Sequence, residues 1–294
     1  MNAIYSTVIG AYEKKQPKLR SQGTGNTNWG AKYDTFGNKL TWFGYKIHLA
    51  VDTASELPVS LEVTPAHVYG GEMAIPLMKD VIENYRWSVK FKFVMMDARY
   101  DQVKNYRAAR GYGVQAIVAL NRPGEKELPA GISANGTPRC TMGYDMGCWS
   151  ADGDRLKLRY PHALGKVDCP LGTATCSDSK YGMVVKKNIA EDVRRYSNPH
   201  QNTRGWTELY SKRTTVERCN ARLKGNLTVN DLHVRGIEKV TTYAYLNAII
   251  LLTSVLAVNM TAGVHRIPND SHQVKGSSNN QRGEAYIKKV NSGR

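Results

Sequence analysis

Tyr210, Arg213, Glu217 and Lys224 are the residues of this chain whose types and spacing point most directly to chemistry. They fall within Tyr210-Ser-Lys-Arg-Thr-Thr-Val-Glu-Arg-Cys-Asn-Ala-Arg-Leu-Lys224. Wound as an α-helix at about 100° per residue, they lie within roughly 60° of one another, so that a carboxylate is flanked by two cations and a phenol. Leu209, Val216 and Leu223 recur at a seven-residue interval on an adjoining apolar stripe, which seats the helix and aims the polar residues across its edge. A carboxylate held beside cations suits a site that handles metal ions and phosphates. A solvated helix face with i,i+4 ion pairs such as Arg213 with Glu217 has the same composition, so the rest of the chain must decide.

Two further carboxylates are placed by the strands before them. Phe43, Tyr45, Ile47, Leu49 and Val51 alternate with Gly44, Lys46, His48 and Ala50, the period-two pattern of a half-buried strand, and Asp52 stands at its end. Thr53 to Pro58 supply a turn and Val59 to Thr64 alternate again, so the pair reads as a hairpin or meander. Asp97 closes a second apolar run, Phe91 to Met96. Glu72 to Tyr85 shows helical spacing, with Pro76 tolerated near its first turn. A helix over Asp101 to Arg110, ended by Gly111, and a buried strand over Val114 to Leu120 follow. Strand, helix, strand, helix, strand is the grammar of an α/β sheet with at least one parallel crossover. Taken alone, Asp52 also reads as a turn residue and Asp97 with Asp101 as helix caps.

The remaining chain divides around this core. Residues 1–40 are polar and basic, with Ser21 to Asn28 as loop, and are expected to form an arm with little core of its own. Residues 41–122 make the first part of the core. Residues 123–204 are richer in Gly, Pro and Cys and carry strand-like pieces at Arg155 to Tyr160 and Tyr181 to Val185; they read as an inserted β-rich subdomain. Residues 205–261 return to helix: Trp206 to Asn226 holds the opening motif, and an apolar helix over Ile237 to Met260 covers one face of the sheet. Residues 262–294 lack periodicity and are expected to be disordered. Cys140, Cys148, Cys169 and Cys176 could form a zinc site, but no pair has the tight knuckle spacing of a zinc ribbon, and ordinary thiols are the plainer reading.

Composition narrows the partners. Lys and Arg number 41 against 25 Asp and Glu, a formal charge of +16, and the pI is near 9.6. A polyanion is therefore expected, and nucleic acid fits better than a membrane. No signal-peptide pattern is seen at the N-terminus, and the apolar run Ala244 to Val258 is short of the ~20 residues needed to span a bilayer. Five cysteines without a secretory signal point to reduced thiols in the cytosol.

Asp52 and Asp97, each ending a strand, can share one edge of a sheet, with Glu217 joining them from a helix. Three such carboxylates can hold a pair of hard cations, and two Mg²⁺ about 4 Å apart stabilise the attacking and leaving oxygens of a phosphodiester displacement. At these residues the sequence resembles the catalytic region of DDE-type bacterial insertion-sequence transposases. Gly44-Tyr-Lys-Ile-His-Leu-Ala-Val-Asp52 and Met96-Asp-Ala-Arg-Tyr-Asp101 look like the segments carrying the family's first and second Asp, and Tyr210, Arg213, Glu217 and Lys224 match its Y-x2-R-x3-E-x6-K signature at every spacing.

The resemblance, over roughly Trp42 to Val258, implies a ribonuclease-H-like mixed sheet flanked by helices and interrupted before the glutamate helix. It implies that Asp52, Asp97 and Glu217 bind two Mg²⁺ or Mn²⁺ ions and that Tyr210, Arg213 and Lys224 position phosphates. Strand cleavage at transposon ends, then strand transfer into target DNA, is the implied reaction. The implied partners are double-stranded DNA and further copies of the chain, in a bacterial, nucleoid-associated setting. Arg218, Arg222 and Arg235 add positive charge around the motif, while His48 and His67 are read as structural or DNA-proximal. Two departures stand out. Thr64-Pro-Ala-His67 leads to Glu72 where relatives carry aspartate, and the usual helical N-terminal domain has no counterpart, so a truncated copy is expected. A non-catalytic DNA-binding remnant, and a nuclease without strand transfer, are the competing readings.

Overall fold

A computed structural model of the chain describes residues 1–15, 27–34, 36–87, 90–121, 127–128, 130–134, 136–172, 177–179, 182–201 and 203–264. Most of the Ser21 to Asn28 loop, Cys176 and the tail beyond 264 lie outside the described residues. Met1–Ser254 is one compact unit; a second, Val255–Arg294, begins within the last helix.

A six-stranded mixed sheet forms the centre. Its strands are β1 (Asn2–Gly10), β2 (Asn28–Tyr33), β3 (Lys39–Asp52), β4 (Pro58–Pro65), β5 (Phe93–Met96) and β6 (Gln115–Val118). They run in the order β2-β3-β1-β5-β6, with β4 also paired to β3. Pairing is antiparallel from β3 to β1, β2 and β4, and parallel from β1 through β5 to β6. Helices α1 (Ala74–Tyr85) and α2 (Val103–Gly111) cover one face; α4 (Thr214–Gly225) and, through Leu251, the first part of α5 (Ile237–Val264) cover the other. The fold class expected from the sequence, a mixed sheet flanked by helices with a β-rich insertion before the glutamate helix, is the one observed.

The first residues are not an arm. β1 lies between β3 and β5, and its Ala3, Ile4 and Ile9 are at most 1% exposed. Ala3-Ile-Tyr-Ser-Thr-Val-Ile9 is rich in β-branched and aromatic residues, and a central strand covered on both faces reads as an apolar run without clean alternation. The parity of side chains sorts the two cores. Ala3, Ile9, Ile47, Leu49 and Val51 join Val216, Leu223 and Val240 on the α4 side. Ile4, Ala50, Val94 and Met96 join Leu77, Val81 and Tyr106 on the α1 side. Gly44 lets β3 come close to β1: its φ is 157°, and a Cβ there would sit 2.2 Å from the Ile9 carbonyl oxygen.

Helix α5 buries Val240, Ala244, Ala248 and Leu251 against the sheet and leaves Leu246, Ile249 and Ile250 about half exposed. By length and composition Ile237–Met260 would suffice to cross a membrane, which the shorter run read from the sequence did not convey. The insertion forms an antiparallel sheet of β7 (Gly147–Asp152), β8 (Arg155–Arg159) and β9 (Val184–Asn188) over Met146, Leu158 and Tyr196. Arg194 ties it to the core by donating Nε to Oδ1 of Asp101 at 3.0 Å and Nη2 to Oδ2 at 2.7 Å, and the Asp101 side chain is fully buried. Cys140 and Cys169 share an apolar cluster with Tyr160, whereas Cys148 packs on a different one.

Candidate functional site

The stretch expected as a single helix is two, α3 (Arg204–Ser211) and α4, broken at Lys212 and Arg213. The break has a local cause. Thr214 Oγ1 donates to the Ser211 carbonyl at 3.0 Å and Thr215 Oγ1 to the Lys212 carbonyl at 2.8 Å, hydroxyl bonds that compete with the helical ladder. Tyr210 lies in the last turn of α3, its ring stacked on Trp206 with centroids 4.7 Å apart and the Arg213 guanidinium 5.7 Å from its centre. Arg213 Nη1 donates to Glu217 Oε1 at 2.7 Å, and Glu217 keeps 47% of its side chain exposed. Burial works against the charge on Arg213, but the Glu217 bond and charge outweigh it and raise its pKa.

The other cations of this region are committed elsewhere. Lys224 Nζ donates to the Val8 carbonyl at 2.8 Å, two helical turns from Glu217 or about 10 Å along the axis. Burial, reinforced by Lys32, lowers its pKa. Arg218 donates Nε and Nη2 to Glu56 Oε1 at 2.8 and 2.5 Å, and Arg222 Nη2 bonds the Glu56 carbonyl, so both tie α4 to the turn after β3. Arg235 donates to the Tyr12 carbonyl at 3.1 Å. His67 is exposed. His48 is buried between Ser6 Oγ at 2.5 Å and Thr64 Oγ1 at 2.7 Å, and burial, with Lys46 adding, drives its pKa down to about 3.

Asp97 lies where the sequence put it, at the end of β5, and accepts the Arg99 amide at 2.7 Å. Burial pushes its carboxyl above the usual range; the Arg99 amide, Arg99 and Arg213 oppose, and Glu217 reinforces. Asp52 does not join it. The register pairs Asp52 with Asn2, while Ile4 pairs with Met96, so the β1 residue abreast of Asp97 is Tyr5. Asp52 is three residues further along, roughly 10 Å. Alternation also puts it on the Ala50 side of the sheet, away from α4. Its Oδ2 accepts from the Ser55 amide at 2.9 Å, Ser55 Oγ at 3.0 Å and the Ala54 amide at 3.2 Å. Burial raises its pKa, but the Ser55 bonds prevail and hold it low. Asp52 is a turn-fixing carboxylate.

Tyr5 is the residue that the sequence reading missed. It shares with Ala3 and Ile9 the face that α4 covers. Burial raises its phenol pKa, and the charges that bear on it are Arg99, Asp97, Glu217 and Arg213. Tyr5, Asp97 and Arg99 line an open cleft of about 310 Å³ together with Trp42, Lys46 and Tyr69. The site is thus two carboxylates and a phenol between two guanidiniums, with a lysine and aromatic rings on one side. It can receive a phosphate and stack a ring against it. Among the described residues, no three His, Cys, Asp or Glu side chains gather where a metal ion could sit. The expected trio of Asp52, Asp97 and Glu217 is therefore not assembled, and the residues present do not fit a pair of divalent cations.

Comparison with known proteins gives the family. A family model described as the transposase DDE domain matches residues 6–253. Among curated proteins, no significant match is found. A solved structure, the piggyBac transposase synaptic complex with hairpin DNA, is similar with a TM-score of 0.41 at 10% identity. That likeness covers 84% of this chain and 44% of the other, so the chain spans less than half the length of that protein. With the family model covering most of its length, including β5, both halves of the helix pair and the insertion between them, the chain belongs to the transposase DDE-domain family.

Proposed function

We propose that this chain binds double-stranded DNA at transposon ends through the cation-lined cleft beside Asp97 and Glu217, and that it does not cut the DNA it holds. The observation that carries this reading is the convergence of Tyr5, rather than Asp52, with Asp97 and Glu217. Arg99 supplies phosphate contacts that fix position without reading sequence, joined by the remaining donors of Arg213, bonded to Glu217, and of Lys46, whose Nζ also donates to the Val68 carbonyl, and the formal charge of +16 supplies the long-range attraction. Strand cleavage and transfer assisted by Mg²⁺ or Mn²⁺ demand a cluster of oxygen ligands that two carboxylates, one of them paired to Arg213, supply poorly. Occupying ends without cutting them would block a catalytically complete copy from the same DNA.

The test is fluorescence anisotropy on a labelled duplex, with a nicking assay on the same DNA in saturating Mn²⁺. Affinity is expected to fall steeply as salt rises and to weaken in Arg213→Ala, with no nicked product. Binding indifferent to salt overturns the DNA assignment. Mn²⁺-dependent nicking that disappears in Glu217→Gln overturns the non-cutting half.

A further inference from the structure

We propose that Tyr5 is the residue that withholds divalent cations from the Asp97 and Glu217 site, and that an aspartate in its place creates an oxygen-lined site for Mg²⁺ or Mn²⁺. The inference rests on the non-cutting reading above.

Position comes first. β1 is the strand shared by β3 and β5, and the parallel register sets Tyr5 beside Asp97. On the opposite face of the same strand, Ser6 Oγ meets His48 at 2.5 Å and Tyr100 at 2.8 Å. Alternation therefore aims residue 5, and not its neighbours, at α4 and Glu217. Lys224, bonded to the Val8 carbonyl, holds α4 in step with β1 over this length.

Chemistry comes second. Hard divalent cations bind oxygen ligands and gain affinity with each negative charge among them. A phenol, whose ordinary pKa is about 10, contributes one neutral oxygen on a rigid ring. Asp97 and Glu217 are offset by Arg99 and Arg213, which leaves no net negative charge for a cation. A carboxylate at residue 5 tips that balance and adds two ligand oxygens. Asp52 cannot substitute, because its Oδ2 already accepts from Ser55 and Ala54 on the other side of the sheet. Tyr5 is only partly buried, so the shorter side chain opens toward the cleft and leaves the strand's buried neighbours in place.

The experiment is Mn²⁺ binding to the full chain, followed by the electron paramagnetic resonance signal of free Mn²⁺. Wild type and Tyr5→Phe are expected to bind more weakly than about 1 mM, and Asp52→Asn to leave that value unchanged. Tyr5→Asp is expected to tighten binding roughly tenfold or more, as an added charged oxygen ligand does, and Tyr5→Asp with Asp97→Asn to lose the gain. Tyr5→Glu, which carries the same charge one methylene further out, stands in if circular dichroism shows Tyr5→Asp unfolded. Micromolar Mn²⁺ binding by wild type overturns the proposal, as does a folded carboxylate variant without gain, or a gain that survives Asp97→Asn. DNA affinity is recorded separately on wild type, so failure of the DNA-binding reading is told apart from failure of this one.

Discussion

Asp97 lines an open cleft with Arg99 and Lys46, and Glu217 stands near it bonded to Arg213, each carboxylate with one oxygen engaged, whereas Asp52, Glu56 and Asp101 are held by several bonds from the protein itself. Burial pushes Asp97 toward its neutral form and the Glu217 charge adds to the push, while Glu217 itself keeps 47% of its side chain exposed. Those of the frame are satisfied: Asp52 closes the turn after β3, Glu56 receives Arg218, and Asp101 anchors the insertion through Arg194. The difference teaches that position at a strand end does not make a ligand. Free lone pairs on the correct face of the sheet do.

The largest effect that sharpens this division belongs to Asp101. Its side chain is buried with bonds from Arg194, Tyr106 Oη at 2.8 Å and the Asn121 amide at 2.7 Å. Asp101→Ala takes a fully buried carboxylate away from the partly buried Arg194, the Tyr106 hydroxyl and the Asn121 amide and is expected to cost about 3 to 5 kcal/mol in urea unfolding. A loss under about 1 kcal/mol would place Asp101 with the exposed ion pairs instead.

The frame behind the cleft also sets a pH limit. His48 has a folded pKa of about 3 and buried His200 one of about 4, both driven down by burial, against roughly 6.5 in an unfolded chain. Between those values the unfolded chain binds the proton that the folded one refuses, so stability is full above about pH 6.5 and falls as pH drops toward 3. For His48 the loss is on the order of 3 kcal/mol by pH 4. Urea midpoints at pH 7 and pH 4.5 check this, and a His48→Gln variant that is folded at pH 7 is expected to show a flatter dependence. An equally steep dependence in that variant assigns the effect to other groups.

Smaller effects separate Asp52 from Asp97. Asp52→Asn removes charge-assisted bonds from an exposed turn and is expected to cost about 1 kcal/mol, with DNA affinity unchanged. Asp97→Asn replaces a carboxyl whose charged form burial disfavours, so its melting temperature is expected to equal or exceed that of wild type. A destabilised Asp97→Asn beside a neutral Asp52→Asn would reverse the comparison.

Much of this frame was legible in the sequence, because period and turn chemistry are local. The alternation from Phe43 to Val51, the apolar run ending at Met96 and the helical spacing of Glu72 to Tyr85 each correspond to an observed element. Asp97 and the Arg213 to Glu217 pair likewise stand where their spacing suggested. Register and face were not legible. Asp52 and Asp97 both follow apolar strands, and only the pairing of Asn2 with Asp52 and Ile4 with Met96 separates them. The break at Arg213 carries no Gly or Pro; its signal is the hydroxyls of Thr214 and Thr215. β1 was hidden because the polar residues after it outweigh it in a forty-residue window, although its own composition is that of a strand.

Tyr5 has a consequence at the level of the gene. Tyrosine and aspartate codons differ only in their first base, so a single point mutation exchanges the two side chains. The central strand, the helix pair, the Arg213 to Glu217 bond and the anchored insertion are left as they are by that exchange. A population carrying this reading frame therefore samples the aspartate form at the rate of spontaneous base substitution.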